Sequence, residues 1–205
     1  LADDMGLGKT VQALAMLCAR ADKGPALVIA PASVTRNWQA ETERFAPGLI
    51  PVLIASRQDA ALLPQLGNGD LALVSYGLLS FIGEELQAID WSTIVLDEAQ
   101  AIKNTATKRA KIVQNLSGDF KLATTGTPIE NGLGDLWAIM DYTNPGLVGA
   151  RAPFVAQLSQ TNDTKAAGEQ ALRALNGILV FRRTKAEPAI AAELPDRIDE
   201  LDLCS

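Results

Sequence analysis

The sequence predicts an α/β fold, a mainly parallel β-sheet with helices on both faces. Three observations carry that expectation. Short apolar runs alternate with helix-patterned stretches five times along the chain, the mark of βα units. The first of these runs, Ala26-Leu27-Val28-Ile29-Ala30, is apolar at every position and suits a strand covered on both sides. Finally, Gly6-Leu7-Gly8-Lys9-Thr10 opens the first helix and Asp97-Glu98 closes a later strand, so two reactive motifs fall on βα junctions of one sheet. Ligands of such sheets bind outside the carboxyl ends of the strands.

Composition narrows the possibilities. With 205 residues, the chain fits one large domain, or one domain with a small appendage. Its 48% hydrophobic and 20% charged content is that of an ordinary globular protein. No apolar run approaches a membrane span and no secretory signal is visible, so no membrane partner is expected. Histidine is absent, which removes histidine bases, triads and zinc sites together. Cys18 and Cys204 lie near opposite ends without metal or redox spacing, and a reducing compartment follows. The net charge of −6 does not advertise a nucleic-acid binder, so any such contact must be local.

Each element has its own signal. Residues 10–21 carry Val11, Leu14, Ala15 and Cys18 at helical spacing, a face expected to be buried with Cys18 as inert core. After the 26–30 strand, Pro31 stops the run and Ser33 is placed to cap a helix over residues 34–45. A second strand is expected at 51–55, a short helical piece at 58–66, and a turn at Gly67-Asn68-Gly69-Asp70. Strand 71–75, helix 77–88, strand 92–97, a basic amphipathic helix over 105–116 and strand 120–125 follow. Thr127, Pro128 and Glu130 have the N-cap, N1 and N3 pattern of a helix start, and that helix buries Leu133, Leu136, Trp137 and Met140 until Asn144-Pro145-Gly146 breaks it. Residues 152–160 and 165–181 look helical, 188–195 reads as a connector, and 197–203 starts another strand.

The chemistry sits at the junctions. Glycines before a helix let backbone N–H groups close on phosphate oxygens, and the helix N-terminus adds partial positive charge. Lys9 would then reach the β- and γ-phosphates of ATP, and the Thr10 hydroxyl would ligate Mg²⁺. A strict Walker A loop has glycine where this chain has Asp3. About ninety residues on, Ile94-Val95-Leu96-Asp97-Glu98 is an apolar strand ending in paired acids. Asp97 would hold Mg²⁺, largely through water, while Glu98 would orient and polarise the water that attacks the γ-phosphate. At a third strand end stands Thr124-Thr125-Gly126-Thr127-Pro128, where capping accounts for Thr127 and Pro128 but not for Thr125 and Gly126.

Taken in sequence, LADDMGLGKT, LDEAQAIKN and TGTPIEN resemble the ATPase motor of Swi/Snf-type chromatin remodellers and their bacterial relatives, within helicase superfamily two. APASVTRNW (30–38) resembles that family's motif Ia, VSYGLL (74–79) its next DNA-facing segment, and FRRTK (181–185) a further motif. The resemblance implies a RecA-like P-loop lobe whose ATP hydrolysis is stimulated by DNA and drives translocation along duplex DNA without strand separation. It assigns Gly6, Leu7, Gly8, Lys9 and Thr10 to the nucleotide, Thr10 and Asp97 to Mg²⁺, and catalysis to Lys9, Asp97 and Glu98. Gln100, Thr125, Gly126 and Thr127 would couple ATP to DNA, with Gln100 standing where DEAH-type sequences have histidine. Ser33, Asn37, Ser75 and Tyr76 would face the DNA backbone, while Trp38 fits core packing better than a DNA contact. For Arg182, Arg183 and Lys185, a DNA or nucleotide contact and a hinge salt bridge both stand open, and Lys103, Lys108, Arg109 and Lys111 read as a solvated face, with a DNA contact as the alternative.

The same resemblance divides the chain into an ATP-binding lobe at 1–186 and a connector at 187–205 toward a second RecA-like lobe. The strand feeding the phosphate loop is expected before Leu1, and the isolated chain is expected to turn over ATP negligibly. A superfamily-two RNA helicase lobe and a catalytically silent scaffold are the rival readings. The expected setting is a bacterial cytoplasm in association with the nucleoid, or a nucleus in a eukaryote, with recruiting partners unspecified.

Overall fold

Alternation within the strands explains how the sheet is covered. A computed structural model describes residues 1–129, 132–158, 170, 172–177, 179–187, 190 and 192. Its five strands are β1 (Ala26–Ala30), β2 (Ile50–Ile54), β3 (Asp70–Ser75), β4 (Trp91–Leu96) and β5 (Gly118–Ala123). They lie in the order β2-β3-β1-β4-β5, and every pairing is parallel. From β1 the chain crosses to the far edge, returns through β3, and then builds outward to β5. The α/β expectation holds, with each strand within two residues of its predicted limits.

Side chains at successive strand positions enter different cores. Ala26, Val28 and Ala30 join Leu71, Leu73 and Val95 in one core, covered by α1 (Lys9–Cys18) and α2 (Ala32–Phe45). Leu27 and Ile29 join Ala72, Val74, Ile94 and Leu96 on the other face. There α3 (Leu79–Gln87), α4 (Lys108–Gln114) and α5 (Leu133–Thr143) pack. A third cluster gathers Ala2, Leu133, Leu136 and Met140 with Phe154 of α6 (Arg151–Leu158), Leu172 and Val180.

Several expectations are corrected. Helix α1 buries Ala13, Leu14 and Leu17, whereas Val11, Ala15 and Cys18 are exposed, so Cys18 is not core. Nearly every position from 13 to 19 is apolar, so periodicity left the face undetermined, and contact with the sheet selects it. Ser33 does not cap α2; the helix starts at Ala32 behind Pro31, and Ser33 lies exposed in the first turn. Likewise Thr127 is not the cap of α5, which begins at Leu133 after Gly132, whose φ of 138° turns the chain into the helix. The Thr127 N–H instead donates to Thr125 Oγ1, holding the preceding loop out of helical form. Trp137 is half-buried, its indole N–H donating to the Gly149 carbonyl. Within 165–181, residues 172–175 are helical and the chain reverses at Gly177 (φ 81°). The connector at 188–195 lies almost wholly, and the strand at 197–203 wholly, outside the described residues.

Candidate functional site

Residues 1–4 run extended between the end of β5 and residues 181–183. On one side the Leu1 carbonyl accepts from Thr125 N–H at 3.1 Å. On the other, Ala2 and Asp4 N–H groups donate to the Phe181 and Arg183 carbonyls at 2.7 and 3.0 Å. The loop then turns through Gly6 and Gly8, both left-handed at φ 84° and 74°, and Gly8 precedes the first residue of α1. Left-handed backbone of this kind is cheap for glycine alone. Lys9 Nζ folds back onto the Asp3 and Asp4 carbonyls at 2.9 and 3.3 Å. Leu7 and Thr10 are partly exposed beside it.

The departure at position 3 now has a physical reason. Asp3 is fully buried, and its carboxylate accepts from Gln12 Nε2 at 3.1 Å, Arg183 N–H at 2.7 Å and Arg183 Nε at 3.1 Å. Burial alone would raise its pKa, but the Arg183 and Gln12 hydrogen bonds and the guanidinium charge outweigh that and hold the carboxyl below its usual range. Asp4 accepts from Lys185 N–H at 3.0 Å and faces Arg182 at 3.8 Å. Lys185 Nζ lies beside the phosphate loop, 3.6 Å from where a Cβ on Gly6 would stand, and Arg183 forms a salt bridge with Asp3. It straps the phosphate loop to a stretch about 180 residues away.

Across the crevice, Asp97 follows β4, its N–H bonded to the Ile29 carbonyl of β1 at 2.8 Å. Its Oδ1 accepts from Thr124 Oγ1 at 2.6 Å and Glu98 N–H at 3.0 Å, and its Oδ2 from Trp38 Nε1 at 2.9 Å. Glu98 is left-handed at φ 50°, alone among the described non-glycine residues. That conformation costs on the order of 1 kcal/mol and is typical of functional turns. The strained turn points Glu98 Oε2 at Gln100 Nε2, 2.8 Å away. Gln100 Oε1 in turn accepts from Thr125 Oγ1 at 2.7 Å, and Thr125 Oγ1 from Thr127 N–H at 3.0 Å. A continuous hydrogen-bonded chain therefore joins Glu98 to the exposed Thr127. Gly126 lies against the phosphate loop: a Cβ there would stand 2.9 Å from Met5 Cγ and 3.7 Å from Lys9 Nζ. The glycine is what lets the third motif approach the first.

The remaining predicted residues divide. Ser33 and Asn37 are exposed on α2, and Ser75 is half-buried at the end of β3, paired in register with Ala30 just before α2. Tyr76 is turned inward instead. It is 6% exposed and its hydroxyl donates to the Asp97 carbonyl at 2.9 Å, while burial drives the phenol pKa well above its ordinary value. Trp38 is core, as expected, yet also reaches Asp97. Sequence reasoning missed this bond together with those of Thr124, Asp3 and Gln12. The aspartate in place of a Walker A glycine was the one visible signal.

The whole chain, residues 1–205, matches the model of the SNF2-related domain. It is 40% identical over 211 residues to YwqA of Bacillus subtilis, named as an ATP-dependent helicase/translocase, across 98% of this chain and 23% of that protein. To the chromatin-remodeling ATPase INO80 of Drosophila melanogaster it is 34% identical over 228 residues, across 100% of this chain and 14% of that protein. Among solved structures, the Sulfolobus solfataricus SWI2/SNF2 ATPase core in complex with dsDNA aligns at a TM-score of 0.79 and 39% identity, over 95% of this chain and 42% of that one. The chain thus spans about a quarter or less of the length of these two curated relatives.

Proposed function

The chain belongs to the SNF2-related family, and from that membership we propose that it is the ATP-binding lobe of a DNA-dependent ATPase that moves along duplex DNA without separating the strands. The observation that carries this reading is the unbroken chain from Glu98 through Gln100 and Thr125 to Thr127, facing a phosphate loop in the same crevice. It offers a path by which a ligand held at the exposed Thr127 reaches the residue that orients water.

The crevice suits a magnesium nucleotide. Lys9 has two main-chain carbonyls as hydrogen-bond acceptors, bonds that phosphate oxygens would replace, and Gly126 lets the third motif close on Met5 and Lys9. Among the described residues no cluster of three or more acidic, histidine or cysteine side chains forms a metal cage. Thr10 and Asp97 would therefore hold Mg²⁺ together with phosphate oxygens, as is usual for this ion. When bound, Mg²⁺ neutralises charge on the phosphates. Lys9 would move from its carbonyls to the β- and γ-phosphates, and Glu98, released by Gln100, would orient the attacking water and accept its proton. A second lobe closing over the nucleotide would supply transition-state cations, worth roughly 10³–10⁵ in rate in related systems.

For DNA, Ser33, Asn37 and Ser75 offer neutral donors on adjoining rims of β1 and β3. Contacts of that kind track a phosphate backbone irrespective of sequence and tolerate a net charge of −6. The direct test is triplex displacement by the full-length protein. Mg·ATP should drive off the third strand and leave the duplex paired, and Lys9→Ala should abolish this. Separation of the duplex itself would contradict the reading.

A further inference from the structure

We propose that Trp38 is a positioning residue for Asp97, fixing through its indole N–H the carboxylate orientation that holds Mg²⁺; this rests on the ATP-site reading above. An ionised carboxylate has about four acceptor sites. In Asp97 three are filled, two on Oδ1 by Thr124 Oγ1 and Glu98 N–H, and one on Oδ2 by Trp38 Nε1. The site left open is therefore on Oδ2, the oxygen that Trp38 holds. Whatever direction the indole imposes on Oδ2 is the direction in which Asp97 meets a metal ion or its water.

The indole is well placed to impose it. Trp38 is 2% exposed and packs in one core with Ala13, Leu14 and Leu17 of α1, the helix whose first turn carries Lys9 and Thr10. The same core includes Ala30 and Val95 of the strands that flank the crevice. One rigid side chain thus sets Asp97 relative to the helix that bears the other metal-binding residue. Its own helix, α2, exposes Ser33 five residues before it and Asn37 directly before it.

A plain core tryptophan also needs a partner for its N–H, so the test must separate metal positioning from packing. In the full-length protein, Mn²⁺ binding to the ADP complex is followed by electron paramagnetic resonance, alongside metal-free ADP affinity and thermal stability. Trp38→Phe keeps an aromatic ring and loses the N–H. Mn²⁺ affinity should fall about tenfold, the lower end for loss of a residue that orients a metal ligand, with metal-free ADP affinity unchanged. Should Trp38→Phe not fold, the benzothiophene isostere at position 38 replaces N–H by sulfur at nearly constant shape and should give the same loss. Wild-type Mn²⁺ affinity in either folded variant overturns the proposal. A wild-type protein that binds no Mn²⁺ with ADP overturns the ATP-site reading instead.

Discussion

At the scale of single residues, Asp97 is held by Trp38 of α2 on one oxygen and by Thr124, after β5, on the other. Lys9 declares itself by residue type behind glycines at a helix start, and Asp97 and Glu98 by position at the end of a predicted strand. Trp38 and Tyr76 reach Asp97 across 59 and 21 residues of chain, and nothing local marks an indole or phenol as a donor to a particular oxygen. Asp3 was visible as an anomaly, and only the fold shows that its partner is Arg183. The Asp3 carboxyl is held below its usual range, so its contribution is present above the unfolded pKa of about 3.9 and is lost as pH falls through the folded value. Asp3→Asn should therefore be less stable than wild type at neutral pH, with the gap closing on acidification below about pH 4. Arg183→Ala should cost about 2 kcal/mol by denaturant titration, since the guanidinium is 38% exposed and solvent screens part of the pair. A pH-independent gap between Asp3→Asn and wild type would mean that the ion pair does not stabilise the fold.

At the scale of elements, strands were read more closely than helices. A continuously apolar five-residue run such as β1 has one plausible structural use in a chain of βα units. Helix α1, by contrast, offers apolar residues on most of its circumference, so its buried side is fixed by what it packs against. The start of α5 failed for a related reason. Thr127 has the chemistry of a cap, but the helix begins only at Leu133 after Gly132, and the Thr127 N–H is bonded to Thr125 Oγ1. The crossing of α3 and α4 is similarly tertiary: a Cβ on Gly83 would approach Ile112 Cγ2 to 3.0 Å and Cδ1 to 3.2 Å. Gly83→Leu should destabilise by roughly 1–3 kcal/mol, as overpacking does. Adding Ile112→Ala should recover part of that loss. Additive losses in the double variant would mean that the two helices do not meet there.

At the scale of the whole molecule, the sheet order places β1 and β4 side by side with β5 next, so three motifs far apart in sequence face one crevice. The alternation of elements implied this general arrangement, because carboxyl ends of parallel strands gather on one edge. It did not reveal that the phosphate loop is strapped to residues 181–185 or that Gly126 closes on Lys9. Such contacts depend on how loops stack above the edge, which no periodicity encodes. The proposed function requires nucleotide and DNA to act on one another through this edge. Steady-state Mg·ATP hydrolysis by the full-length protein, with duplex DNA, with duplex RNA and with neither, tests it most directly. Strong stimulation by duplex DNA, weak response to RNA, and loss of turnover in Lys9→Ala are expected. A rate indifferent to DNA would leave the crevice a nucleotide site without a nucleic-acid partner.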